Sequence, residues 1–316
     1  MRILTDIAPA TAAPAAATIG MLDGVHLGHR LVLDHLRSLA VGRALSSLVV
    51  TFSSHPAAIV RPDAVPPMLT TVAERLSLIE ATGNVDCCRL LPFDASLRAM
   101  SAREFLALMR DSFGVRLLLM GFDHRFGSDG ATLSRSDYHS IASSLGIELV
   151  DAPRLTLPDA GIDVSSSSIR RYLSDPAEPR PDLARIALGR PYSVSGKIVK
   201  GKQLGHTIGF PTANLLPDDS AKLIPAFGVY VALASLPDRP DLPAIVNIGH
   251  RPTVDLSPDA PVSIEAHIIG LDADLYGSPL TLSFLSFLRH ERRFPSLQAL
   301  TRQLAADRDA ALRICN

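Results

Sequence analysis

Two histidines three residues apart, His26 and His29, bracket Leu27-Gly28 just where an amphipathic stretch with Leu33, Leu36, Leu39 and Ala40 begins. In the first turn of a helix the backbone N–H groups lack intrahelical partners, and two imidazoles at this spacing point the same way as those free donors. Such a corner can hold a triphosphate. During nucleotidyl transfer, charge grows on the α-phosphate and on the departing pyrophosphate, so donors already aimed at those oxygens lower the barrier without a covalent intermediate. Gly28 lets the backbone approach closely. The same four residues also fit two partly exposed helix-start histidines, or a metal pair. Against the metal, no third Cys, His or carboxylate ligand is obvious nearby, and a glycine before the second histidine suits phosphate approach.

Three further segments of the first half carry polar chemistry at the ends of apolar runs: Thr51-Phe52-Ser53-Ser54-His55-Pro56, Gly121-Phe122-Asp123-His124-Arg125-Phe126-Gly127, and Val164-Ser165-Ser166-Ser167-Ser168-Ile169-Arg170. Ligands of open α/β sheets sit beyond the carboxyl ends of strands, where all of these fall. A serine-rich helix start ending in Arg170 makes a good anion cradle, with a flexible serine-rich loop as the alternative.

In the second half, Gly201, Gly205 and Gly209 allow a loop to wrap its amides around phosphates, although the same glycines also read as hairpin punctuation. No GxxxxGKS/T is present, so this is not a Walker loop. Thr212 and Asn214, on one face if extended, offer neutral oxygens to a magnesium ion whose negative ligands come from ATP. Glu265, on a β-like segment, is a reasonable general base facing such a loop, although a lone Glu is most often a surface residue.

The elements that must position these residues follow from composition and period. With 31 basic against 32 acidic side chains the net charge is -1, so no global field attracts nucleic acid or an anionic membrane. A 316-residue chain with 47% hydrophobic content supports two cores, and charges or prolines interrupt every apolar run before membrane-spanning length. Cys87, Cys88 and Cys315 form no CxxC pair, which fits a reducing cytosol and suggests neither a disulfide framework nor structural zinc. A soluble, cytoplasmic protein is expected, with Met1 to Ala17 read as a first strand and loop.

Ser47–Phe52 and Val115–Met120 are apolar runs suited to buried parallel strands, and Ser101-Ala102-Arg103-Glu104 is a capping box opening a helix with Phe105, Leu108 and Met109 on one face. This is a βαβ pattern. Three prolines between Ser174 and Asp182 place a domain boundary, giving 1–182 and 183–316. Beyond it, β-like segments at Tyr192–Val199, Phe227–Ala234, Ala244–Ile248, Val262–Ile269 and Leu280–Phe287, then a helix from about Ser296, suggest a small barrel closed by a terminal helix.

The first-half segments together resemble the FMN adenylyltransferase domain of the bifunctional bacterial riboflavin kinase/FAD synthetases, whose pattern runs G-x-F-D-G-x-H-x-G-H, T-F-x-P-H-P, G-x-D-F-x-F-G and I-S-S-T-x-I-R. The resemblance implies a Rossmann-like nucleotidyltransferase domain with a parallel sheet. By the same resemblance His26 and His29 bind and stabilise the ATP phosphates, and Gly24, Gly28, Asp123, Arg125, Ser165, Ser166, Ser167 and Arg170 serve the nucleotide. Asp23, Leu22 and His124 fall at the flavin. Leu22 and His124 replace family phenylalanines, Ser54 replaces a proline, and the basic residues usual after Gly127 are missing from Ser128-Asp129-Gly130-Ala131. Two lost aromatics either loosen flavin packing or repack.

Gly209-Phe210-Pro211-Thr212-Ala213-Asn214, Asn247-Ile248-Gly249-His250-Arg251-Pro252-Thr253, Glu265-Ala266-His267, Asp274-Leu275-Tyr276-Gly277 and Phe287-Leu288-Arg289-His290-Glu291-Arg292-Arg293-Phe294 follow in the order seen in riboflavin kinases. This second resemblance implies a small riboflavin-kinase β-barrel with a terminal helix. It makes Glu265 the base that deprotonates the ribityl hydroxyl and puts Thr212 and Asn214 on Mg2+. It also places Gly201, Lys202, Gly205, Thr207, Gly209 and Pro211 around ATP, and Arg289 at the flavin. His206 stands where the family commonly has Arg.

The expected activity is therefore phosphorylation of riboflavin to FMN and adenylylation of FMN to FAD, each with Mg-ATP. Two alternatives stay open: a riboflavin kinase with a weak or inactive N-terminal domain, and a flavin-binding protein without turnover.

Overall fold

Short runs of Val, Leu and Ala with little polar alternation form parallel strands buried on both faces. The computed structural model describes residues 1–5, 13–121, 124–153, 155, 161–200, 209–250 and 262–315, and contacts divide the chain into Met1–Val164 and Ser165–Asn316. In the first unit β1 (Arg2–Leu4), β2 (Ala15–Ile19), α1 (Leu27–Gly42), β3 (Ser46–Phe52), α2 (Ala57–Val60), α3 (Val72–Glu80), β4 (Cys87–Leu91), α4 (Ala95–Ala99), α5 (Ala102–Phe113), β5 (Val115–Met120), α6 (Arg135–Ser144) and β6 (Glu148–Asp151) follow one another. The strands form one parallel sheet in the order β1-β4-β3-β2-β5-β6. The residues expected to begin with a first strand and loop thus contain β1 and the start of β2, and 6–12 lie outside the described residues.

Alternation along β2 sends Ala15, Ala17 and Ile19 into one apolar cluster and Ala16 into the other, so helices cover both faces of the sheet. Chain order reverses at β2: β3 and β4 lie on one side of it and β5 on the other. The carboxyl ends of β2 and β5 are therefore adjacent, the position at which open sheets of this kind take ligands, and Gly20 and Gly121 follow those ends.

The capping box that opens α5 is present at Ser101 and Glu104, and Gly114, left-handed at φ 70°, ends the helix. The buried face differs from the expected one. Phe105, Leu106, Met109 and Phe113 are buried while Leu108 is only partly covered, because α5 packs on α6 as well as on β5 and its apolar stripe is turned toward Leu106.

The second unit begins with α7 (Ser166–Ser174) and α8 (Pro181–Leu188), followed by β7 (Tyr192–Val199), β8 (Ala213–Pro217), β9 (Gly228–Leu236), β10 (Arg239–His250), β11 (Val262–Ile268), β12 (Pro279–Arg289) and α9 (Leu297–Cys315). The strands close into an antiparallel barrel in the order β10-β11-β8-β7-β12-β9. Three elements depart from expectation. Helix α8 starts with Pro181 in its first turn and stops at left-handed Gly189, so its punctuation is helical after all. Strand β8 adds to the five expected β-segments and makes extended the stretch in which Thr212 and Asn214 share a face only if extended. Strand β10 extends back to Arg239 through Pro240 and Pro243, tolerated because a bulge falls between Arg239 and Leu242. The terminal helix α9 covers Val229, Val231 and Ile245 on the outside of the barrel through Ala311.

Candidate functional site

His26 is the N-cap of α1, and its Nδ1 accepts the backbone N–H of His29 at 3.3 Å. A neutral His26 ring therefore carries its proton on Nε2. The two imidazoles stack with centroids 3.6 Å apart and planes 19° from parallel. Burial, with the neighbouring His26 in second place, holds His29 well below the ordinary imidazole range, so the His29 ring is neutral at pH 7. His29 Nδ1 is shielded from solvent and has no hydrogen-bond partner among the described residues. Among those residues no three His, Cys, Asp or Glu side chains group closely enough to hold a metal ion.

A strained turn delivers this corner. Between β2 and α1, Leu22, Gly24 and Val25 all have positive φ, 50°, 82° and 40°, a costly conformation for leucine and a rare one for valine. The turn is latched from below by Asp23, 2% exposed, whose carboxylate accepts from Leu69 N at 3.0 Å and from Thr70 N and Oγ1 at 2.9 Å. Thr70 Oγ1 in turn accepts from Gly24 N at 3.1 Å. Asp23 therefore holds the loop in place. Leu22, expected beside the flavin, is buried and packs with Ala16, Val25 and Leu33 in the apolar cluster that includes the buried face of α1. Thr70 was missed by sequence reasoning, since its contact with Asp23 spans 47 positions.

His124 keeps an aromatic contact, edge-on to Phe126 at 5.9 Å, and Arg125 donates to the Ala131 carbonyl at 3.1 Å. Asp123 lies outside the described residues. In the second unit Ser165 caps α7: its Oγ accepts Ser168 N at 3.1 Å, and Ser168 Oγ accepts Ser165 N at 3.0 Å. The hydroxyls of Ser165 and Ser168 thus close the cap, while Ser167 is exposed and Ser166 and Arg170 are half-buried.

Gly28 is required by space. A Cβ there would stand 3.2 Å from Cε1 and Nδ1 of His26 and 3.7 Å from the Val164 carbonyl. Gly28→Ala should therefore push the His26 ring off its stack and lower FMN adenylylation about tenfold or more. Riboflavin phosphorylation should stay at the wild-type rate, and assaying the two reactions separately checks both.

In the barrel, strand register assembles the second site. Asn214 of β8 stands opposite Glu265 of β11, and Glu265 stands opposite Asn247 of β10, so the three side chains share one face across adjacent strands. Ala213 and Ala266, also paired, belong to the other face. Glu265 is half-buried and Asn214 nearly buried, and Asn247 Nδ2 donates to Glu291 Oε1 at 2.8 Å. Thr212, just before β8, borders a cleft of about 290 Å³ with Pro211, Ala266, Asp274 and Tyr276. The Pro211 carbonyl accepts from His267 Nδ1 at 2.9 Å, and Gly209 is left-handed at φ 79°. Gly201, Lys202, Gly205, His206 and Thr207 lie outside the described residues. Arg289 is engaged by Asp307 of α9, with Nη2 2.7 Å from Oδ2, and Gln303 Nε2 donates to the same carboxylate at 2.7 Å. Its guanidinium anchors the terminal helix.

Phosphate chemistry on two unrelated folds defines a nucleotide-using transferase with two reactions. Residues 8–168 match the family model described as FAD synthetase, and residues 188–315 the one described as riboflavin kinase. The chain belongs to the bifunctional riboflavin kinase/FMN adenylyltransferase family. It is 36% identical to a member from Pseudomonas fluorescens over 93% of this chain and 91% of that one, and 34% identical to the Escherichia coli K12 member over 92% and 89%. A crystal structure described as a macrolide-efflux protein from Streptococcus pneumoniae superposes with a TM-score of 0.85 at 25% identity, covering 99% of both chains. Among the described residues of this chain no helix is long and apolar enough to cross a membrane. The matches span both units, and none favours a kinase with a silent first half.

Proposed function

We infer that the chain makes FAD from riboflavin in two ATP-consuming steps. The observation that carries this reading is a separate family match on each part of one chain, with residues for phosphate chemistry in both. In the first step the terminal ribityl hydroxyl attacks the γ-phosphorus of ATP, an O–P bond forms, and ADP leaves. Glu265 takes the hydroxyl proton, and its place beside Asn214 supports that role. Thr212 and Asn214 supply neutral oxygens suited to Mg2+, which offsets phosphate charge when bound. Gly201, Lys202, Gly205, Thr207, Gly209 and Pro211 are assigned to the ATP phosphates, and Arg289, whose guanidinium is held by Asp307, to the flavin.

In the second step a phosphate oxygen of FMN attacks the α-phosphorus of another ATP, and pyrophosphate leaves. His29, kept neutral by burial, and His26, stacked on it at a helix start, donate to the oxygens on which charge grows. Gly24, Gly28, Asp123, Arg125, Ser165, Ser166, Ser167 and Arg170 are assigned to the nucleotide, and His124 to the flavin. This reading keeps the functional division near residue 182, in the stretch 169–187 that neither family match covers, although contacts divide the chain after Val164. A cytoplasmic location accords with buried Cys87 and Cys88, the latter pushed by burial up to about 12.

Chromatography of flavins over time from riboflavin, ATP and magnesium tests the scheme. FMN should accumulate first and then convert to FAD. A halt at FMN would reduce the protein to a kinase, and unchanged riboflavin would overturn both steps.

A further inference from the structure

Glu291 follows β12 on a segment fixed at several points. Arg289 is held by Asp307, His290 Nε2 lies 3.1 Å from the Ala177 carbonyl, and Phe287 packs edge-on against Tyr230. So anchored, the Glu291 carboxylate accepts the Asn247 amide at 2.8 Å and occupies the space a side chain at Gly249 would need. Any Cβ at Gly249 would clash with all three carboxylate atoms. Asn247 stands directly opposite Glu265 in the β10–β11 register, where facing Cβ atoms lie about 4.5–5.5 Å apart.

We propose that Glu291 is a positioning residue for riboflavin phosphorylation, fixing the orientation of the Asn247 amide beside Glu265. The inference rests on the assignment of Glu265 as the base. An amide without that acceptor can turn about its own side-chain bonds, which displaces its donor and acceptor relative to Glu265 and to a substrate hydroxyl there. Errors of about 1 Å in such arrangements cost up to ~10²-fold in rate. Gly249 belongs to the same device, because only a residue without Cβ leaves room for the carboxylate.

The test uses the full-length protein and separate assays of phosphorylation and adenylylation for Glu291→Ala, Glu291→Gln, Asn247→Ala, the Glu291→Ala/Asn247→Ala double variant, Gly249→Ala and Glu265→Gln. Glu291→Ala should lower kcat for phosphorylation about tenfold, with KM for riboflavin and ATP within about twofold of wild type. Glu291→Gln, which keeps an oxygen acceptor, should restore most of that loss. In the Asn247→Ala background, Glu291→Ala should add nothing, the mark of one shared interaction. Should Glu291→Ala fail to fold, Gly249→Ala reads the same contact, because it displaces the carboxylate without removing it. Phosphorylation within about twofold of wild type in Glu291→Ala, a glutamine no better than alanine, or additive single effects would overturn the proposal. An active Glu265→Gln would remove the base assignment beneath it, whereas an inactive Glu265→Gln beside a normal Glu291→Ala would remove this inference alone.

Discussion

Glu265→Gln should slow riboflavin phosphorylation by about 10²–10⁴ while adenylylation of supplied FMN continues at the wild-type rate. Glutamine has the size of glutamate and keeps one acceptor oxygen, so the β11 register opposite Asn214 and Asn247 is preserved. It has no basic carboxylate to take the hydroxyl proton. The predicted loss is therefore in kcat, with KM for ATP little changed, since Glu265 is assigned no contact with the nucleotide. Steady-state kinetics with riboflavin as substrate, followed by FMN as substrate for the same preparation, measure both outcomes. Phosphorylation within a few-fold of wild type would take Glu265 out of the role.

His29→Ala should have the reciprocal signature: FAD formation falls by about 10²–10³ and FMN formation persists, because one donor to a charge that grows in the transition state is gone. A uniform loss of both activities in a folded variant would contradict the two-site scheme. The same substitution changes the response to acid. Burial holds folded His29 well below the ordinary value of 6.5, so on unfolding below about pH 6.5 the side chain takes up a proton that the folded chain refuses. Stability from this group is thus fully present above that pH and is lost as pH falls toward the folded value. Urea midpoints at pH 7.5 and 5.5 should show a smaller acid penalty in His29→Ala than in wild type.

The elements legible in the sequence were those whose signal is local. Strands β3, β5 and β7 stand close to where apolar runs placed them, and the capping box at Ser101 opened α5 as read. Strand β8 and the start of β10 were hidden because Pro217, Pro240 and Pro243 carry turn signals that barrel pairing overrides. The histidine corner was legible because helix-start geometry is set within four residues. The work of Asp23 was not, since its partners Leu69 and Thr70 lie 46 and 47 positions away, nor was the meeting of Asn247 with Glu291 across 44. Leu22 illustrates the remaining difficulty. Its place in a family pattern pointed to a ligand, whereas its left-handed backbone turns the side chain into the core.

Barrel closure separates the two units in their exposure to aggregation. Among the described residues each strand of the second unit has a neighbour on both sides, the β8–β11 seam being the shortest with two paired positions, so the barrel offers little free edge to another chain. The open edges lie in the first unit, whose sheet ends in β1 and β6. Both edges are short, three and four residues. The β6 edge is further protected by charge, with Glu148 bound to Arg43 and Asp151 to Arg135. The β1 edge is held on one side by its parallel pairing with β4 and carries one charged residue, Arg2, beside exposed Ile3 and Leu4, so it is the more apolar of the two edges.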